Sequence, residues 1–218
     1  MPANDFMTIA STDEGTAFVE AYGLLLASVL LAHNGNPPRA VAVASAQAGD
    51  GCSTTALNLA MMMARTGRPT VIVDANLREP ELHKAFGLNH TPGLADVLTG
   101  KAKLESVVVA TKIPHLSFVP AGRVQVPAQA LLVHPALATA FNDLRERFDL
   151  VVIDTAPMLS FPDTLHIGKE ADGVLLVVSP QGASRREQQE MRRLLERVEA
   201  RILGTVLNRA RGRAMVGA

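Results

Sequence analysis

From residue 40 to residue 208 the chain alternates between two kinds of segment. AVAVAS (40–45), PTVIVDAN (69–76), FDLVVIDTAP (148–157), GVLLVVSP (173–180) and ILGTVLN (202–208) are short runs rich in β-branched and aliphatic residues. Between them lie stretches with helical spacing, among them STTALNLAMMMARTG (53–67), FNDLRER (141–147) and RREQQEMRRLLERVEAR (185–201). The strand runs are almost continuously apolar rather than alternating, as required of strands covered on both faces. Strands interleaved with helices predict an α/β domain with a mostly parallel central sheet and helices on both sides. In such sheets ligands bind beyond the C-terminal ends of the strands.

A different pattern precedes this domain. STDE (11–14) is a capping-box sequence, Ser11 followed by Glu14, and predicts a helix through GTAFVEAYGLLLASVLLAH (15–33), with Asn34-Gly35 as its stop and Pro37-Pro38 forbidding continuation. That helix is apolar on nearly every face and has to be buried; packing against its own domain is one explanation, and a second face that packs on a partner is the other. The predicted organisation is an N-terminal segment and helix (1–38), an α/β domain (39–210) and a short tail (211–218).

Composition narrows the function. With 218 residues, 48% hydrophobic and 19% charged, the chain reads as one soluble globular domain. A formal net charge of zero, and aromatics limited to seven Phe and one Tyr, exclude a nucleic-acid partner that binds by charge or base stacking. One cysteine, Cys52, permits no internal disulfide and fits a reducing, cytoplasmic setting. The polar, acidic N-terminus is not a secretory signal, and the apolar run 23–32 is too short to span a bilayer, which takes about 20 residues. The six His residues show no metal-ligand spacing, and Met61 to Met63 read as core.

The candidate chemistry lies at strand ends. SAQAGDGCST (45–54) follows the first strand and opens a helix, the context of a phosphate-binding loop. Gly49 and Gly51 let the backbone curl so that amides point inward toward a phosphate. The helix N-terminus adds partial positive charge, and Ser53 stands where a Mg²⁺ ligand belongs. Cys52, however, occupies the place of the lysine. Asp74 and Asp154 close two other strands, and beside a phosphate loop two such carboxylates form a Mg²⁺ and water site.

These motifs resemble those of the bacterial tyrosine kinases (BY-kinases), within the wider MinD/ParA class of P-loop proteins. The family pattern S-x-x-P-G-E-G-K-S-T appears as SAQAGDGCST, D-x-D-x-R-x-P as DANLREP (74–80) and I-I-D-T-P-P as VIDTAP (152–157). GLADVLTG (93–100), LSFVPAG with PAQALL (116–132), DGVLLVV (172–178) and GTVLN (204–208) also fit, so the likeness covers roughly residues 12 to 209. It implies a P-loop NTPase-like fold that binds ATP or ADP with Mg²⁺. It places Gly49, Asp50, Gly51, Cys52, Ser53, Thr54 and Asn208 at the nucleotide, Ser53, Asp74 and Asp154 at the metal, and Asp74 and Asp154 in catalysis. The implied partner is an inner-membrane polysaccharide co-polymerase, the implied process exopolysaccharide or capsule synthesis or export, and the implied location the inner face of the inner membrane.

Four departures change the expectation. Cys52 replaces the loop lysine; Asn76 replaces the second aspartate of D-x-D; the ending NRARGRAMVGA has no tyrosine cluster, Tyr22 being the only tyrosine; and in the family's ring-forming E-x-x-R-x-x-R only Glu20 remains, with Gly23 and Leu26 in place of the arginines. The expectation is a degenerate BY-kinase-like pseudokinase with nucleotide binding weak or lost, a monomer, homodimer or hetero-complex through the 15–32 helix instead of a ring. Two alternatives are an active ATP-dependent kinase or weak ATPase that has recruited another cation (Arg78, Arg185, Arg186 or Arg209) and an adaptor that binds no nucleotide. A thiol facing a ring of amides at a helix N-terminus should have a lowered pKa and compete with phosphate; the alternative for Cys52 is an inert buried filler.

Overall fold

The computed structural model describes residues 8–9, 16–32 and 36–210; the Ser11–Glu14 pair, the Asn34-Gly35 stop and the tail 211–218 lie outside the described residues. In chain order the elements are α1 (Ala17–Leu31), β1 (Ala40–Ser45), α2 (Cys52–Arg65), β2 (Thr70–Asp74), α3 (Leu82–Phe86), α4 (Leu94–Leu98), α5 (Leu104–Val107), β3 (Val109–Ala110), β4 (Leu116–Val119), α6 (Ala128–Leu132), α7 (Ala136–Arg147), β5 (Leu150–Asp154), α8 (Asp163–Glu170), β6 (Gly173–Val178), α9 (Arg185–Arg197) and β7 (Ile202–Leu207).

The strands form one sheet in the order β3-β4-β2-β5-β1-β6-β7. Every pairing is parallel except β3 with β4. All residues of β1, β2, β5 and β6 are buried, which accounts for their unbroken apolar sequences. One face packs on α4 to α9 through residues such as Leu94, Phe141, Ile167 and Leu195. The other packs on α1, α2 and α3 through Leu26, Leu57, Leu59 and Leu82. The five strands expected from composition are present, trimmed at their ends. The short elements α3 to α6, together with β3, β4 and α8, carry too little periodicity to stand out in sequence.

In α1 the Thr16 hydroxyl accepts from the Val19 amide (3.4 Å), and Tyr22, Leu26 and Val29 are buried at helical spacing. The helix is not enclosed: Leu24 is 49% and Leu31 80% exposed. Gly23 faces open space, whereas Leu26 lies in the core. Positions 23 and 26, where the ring-forming pattern has arginine, therefore have different environments, and a substitution at Leu26 probes stability rather than an outer face.

Strand order sets up the site. Because β5 sits between β2 and β1, Asp74 and Asp154 are direct register partners, and the loop leaving β1 emerges beside them.

Candidate functional site

The loop between β1 and α2 is shaped by two glycines in left-handed conformation, Gly49 (φ 86°) and Gly51 (φ 92°), which other residues adopt only at a cost. Gly51 is the N-cap of α2, and no side chain caps the helix. The amides of its first turn are thus left for an anion, favoured by the helix dipole.

Neighbouring strands brace the loop. The Asp50 side chain is buried and points away from the concave side, accepting from Ser179 Oγ (2.8 Å) and from the Gln47 amide (3.3 Å). Asn208 Nδ2 donates to the Asp50 carbonyl (2.9 Å), and a Cβ on Gly51 would collide with that same amide nitrogen. Gln47 Nε2 donates to Glu187 Oε1 at the start of α9 (2.9 Å). Asp50 and Asn208, expected at the nucleotide, have their side chains engaged in holding the loop. Ser53 and Thr54 line the adjoining cavity with Gly49 and Gly51.

Asp74 and Asp154 are 0% and 1% exposed. Neither oxygen of Asp74 has a hydrogen-bond partner, nor has Asp154 Oδ1. Burial raises the Asp74 pKa well above the usual carboxylate range, and the charge of Asp154 adds to the rise; the nearby amides of Leu82 and Asn76 oppose it without making hydrogen bonds of normal geometry. Burial likewise pushes Asp154 up to about 6, against the opposing effect of the Ser53 hydroxyl and the Cys52 thiol. Glu81, which the sequence reading passed over, raises both groups through its charge. Only folding reveals this, because residue 81 belongs to none of the quoted motifs. Among the described residues no group of three or more His, Cys, Asp or Glu side chains could hold a metal. The unpartnered oxygens nevertheless fit a hard cation that takes a few protein oxygens and completes its shell with water and phosphate, as Mg²⁺ does.

The reading of Cys52 as a thiolate facing the amides is overturned. Its thiol donates downward to the Val43 carbonyl (3.0 Å), with the Thr155 carbonyl at 3.8 Å, and the residue is buried. Burial first, and then the negative charge of Asp154, push its pKa well above the ordinary thiol value. A buried thiol held in its neutral form is what the filler alternative describes.

The basic residues also sort differently from their order in sequence. Arg78 is committed: its Nε and Nη2 reach the two oxygens of buried Asp163 (2.8 and 3.2 Å), and its guanidinium lies 4.4 Å from the Phe161 ring centre. Arg185 and Arg186 are exposed in the first turn of α9 and do not line the cavity. Arg209 does, as do Lys84 and Lys112. The cavity, about 970 Å³, runs from the loop past Asn76, Glu79 and Glu81 to the end of α3. Asn76 closes a local turn, donating to the Glu79 carbonyl (2.9 Å) and accepting from the Glu79 amide (3.2 Å). Tyr22 is 7% exposed and packs far from solvent against the α2 side.

Residues 38–206 match the AAA domain family model. The tyrosine-protein kinase YwqD of Bacillus subtilis is 30% identical over 200 residues, covering 92% of this chain and 84% of YwqD. EpsB of Ralstonia nicotianae, named "Putative tyrosine-protein kinase EpsB", is 33% identical over 160 residues, 73% of this chain; the chain spans only 21% of EpsB. Among solved structures, the chimerical protein CapA2B2 superposes with a TM-score of 0.87 at 27% identity, covering 93% of this chain and 89% of that one. MinD from Pyrococcus horikoshii, complexed with Mg-ADP, gives a TM-score of 0.67 at 25% identity over 78% of this chain and 70% of MinD. No helix among the described residues is long and apolar enough to cross a membrane.

Proposed function

This chain belongs to the AAA domain family, in its bacterial tyrosine-protein kinase branch, and we propose that it is a pseudokinase of that branch, a nucleotide-binding regulator of exopolysaccharide or capsule synthesis. The observation that carries the reading is Cys52. The position that should present an ammonium group to the phosphates carries an uncharged thiol, turned down to the Val43 carbonyl. Backbone amides of the loop and the first turn of α2 would hold the phosphates of ATP or ADP. Ser53, Asp74 and Asp154 would hold Mg²⁺, which when bound neutralises phosphate charge. Without a loop cation to stabilise charge in transfer, a contribution larger than an ordinary charged hydrogen bond is missing.

Two further observations support the loss of transfer. Asn76 has no basic carboxylate, and its amide is used in a turn. Tyr22, the only tyrosine of the sequence, is buried against α2 and cannot present its hydroxyl to a kinase site without unfolding α1. The partner that suits the branch is a membrane polysaccharide co-polymerase at the inner face of the inner membrane. Exposed Leu24 and Leu31 on α1 are the contact we assign to it or to a second copy.

Calorimetric titration of the purified chain with ADP, with and without Mg²⁺, tests the reading alongside incubation with labelled Mg-ATP. Measurable Mg²⁺-dependent binding without phosphotyrosine is expected. Label on Tyr22 above that of an Asp154→Asn control would overturn the pseudokinase; no binding of any nucleotide would leave an adaptor. Cys52→Lys should tighten ADP binding by about tenfold, the worth of one regained charged hydrogen bond.

A further inference from the structure

Three basic side chains line the cavity, and the fold separates them sharply. Lys84 is paired with Glu81 (2.9 Å). Lys112 lies in the turn before β4, whose first residue, Leu116, pairs with Thr70 at the start of β2; it is therefore at the opposite end of the sheet from Asp74. Arg209 is the exception. It follows Asn208, whose side-chain amide donates to Asp50 of the phosphate loop and occupies the space a Gly51 Cβ would need. The backbone of Arg209 is thus tied to the loop through its immediate neighbour.

That backbone is itself unusual. Arg209 has φ 56°, a left-handed conformation that residues with a Cβ rarely adopt, and its amide is held there by Asn208 Oδ1 (2.9 Å). Asn208 therefore does two things at once: one side-chain atom holds the loop and the other fixes the turn that carries Arg209. The side chain lines the same cavity as Gly49, Gly51, Ser53 and Thr54, and its guanidinium makes no hydrogen bond or ion pair with any described residue. The other candidate arginines are spent on Asp163 or stand outside the cavity.

We propose that Arg209 supplies the nucleotide phosphates with the positive charge that the loop lost at Cys52. A guanidinium is permanently charged and can meet two phosphate oxygens at once, so it can replace a lysine ammonium as an anchor even when it approaches from the strand side of the loop. Held at the end of β7 instead of inside the loop, it anchors ground-state phosphate and does not follow the group being transferred, which is compatible with binding without transfer. The inference rests on the nucleotide-binding reading above and extends it by naming the residue that makes such binding tenable.

The test is calorimetric titration of the full chain and its variants with Mg-ADP and, separately, with adenosine. Arg209→Ala should weaken Mg-ADP binding by about tenfold or more and leave adenosine affinity unchanged, and Arg209→Lys should recover part of the loss. With Cys52→Lys present, Arg209→Ala should cost less than about threefold, because the two cations serve the same phosphates. Equal Mg-ADP affinity for wild type and Arg209→Ala overturns the inference and leaves the nucleotide-binding reading standing. An equal loss for ADP and adenosine overturns it too, assigning Arg209 to the base. No Mg-ADP binding by wild type, with binding by Cys52→Lys, overturns the nucleotide-binding reading itself.

Discussion

Two buried carboxylate centres lie within ten residues of one another on the strand-5 side of the sheet, and they have been treated in opposite ways. Asp163, at the start of α8, is 1% exposed and fully answered: Arg78 reaches both of its oxygens and stacks on Phe161. Asp154, at the end of β5, is equally buried, yet one of its oxygens has no partner and it faces Asp74, which has none. A carboxylate that only supports the fold is given its counter-ion within the fold, since an unpaired buried charge is costly. One left unanswered is waiting for a charge from outside. The contrast separates the brace, which ties the loop after β2 to the start of α8, from the groups that would meet Mg²⁺.

The sharpest way to break the comparison is to unpair the answered site. Arg78→Ala strands Asp163 as a buried charge and should cost about 3 kcal/mol of stability in urea unfolding at neutral pH, somewhat below the value for a fully buried pair because Arg78 is 31% exposed. Loss of less than about 1 kcal/mol would mean that water reaches Asp163 and that the two centres do not differ.

The mirror experiment, removing charge from the unanswered site, should act in the opposite direction. The folded pKa of Asp154, about 6, lies above its ordinary value of 3.8, so the penalty for ionising it in the fold is absent below about pH 4, grows as pH rises and is complete above about pH 6. Asp154→Asn should therefore stabilise the nucleotide-free protein by about 3 kcal/mol at pH 8 and by little at pH 4, read from paired unfolding curves. It should also abolish the Mg²⁺-dependent part of the ADP thermal shift. A destabilised variant at pH 8 would show that Asp154 is satisfied after all.

A smaller effect follows from the same pKa. Protons and Mg²⁺ compete for Asp74 and Asp154, so the Mg²⁺ dependence of ADP binding should weaken by about tenfold between pH 7 and pH 5. A flat calorimetric profile would place the metal elsewhere. The smallest effect is at Cys52. Its buried, neutral thiol should resist alkylation at pH 8 whether or not nucleotide is present, and Cys52→Ser should change stability by less than about 1 kcal/mol, the hydroxyl taking over the bond to Val43. Rapid alkylation that saturating Mg-ADP blocks would restore the exposed thiolate.

The repeating period of helix and strand, the continuous apolarity of β1, β2, β5 and β6, and the glycine spacing before α2 were enough to predict a mostly parallel sheet with a phosphate-type loop at its edge of strand ends. They suffice because hydrophobic period and glycine conformation are local properties, written within a few residues of where they act. Which cation is free is not local. DANLREP reads identically whether Arg78 reaches a phosphate or an aspartate, and only the packing of α8 beside the loop after β2 commits it to Asp163. Likewise the direction of the Cys52 thiol depends on the Val43 and Thr155 carbonyls, which strand pairing brings beneath the start of α2 from residues 9 and 103 positions away. The nearness of Glu81 to the aspartates and of Asn208 to Gly51 comes from the same source. The strands, the glycine loop and the thiol at its lysine position are legible in the chain itself; which charges remain unpaired is not, because a charge is free or spent only according to what the fold places within reach of it.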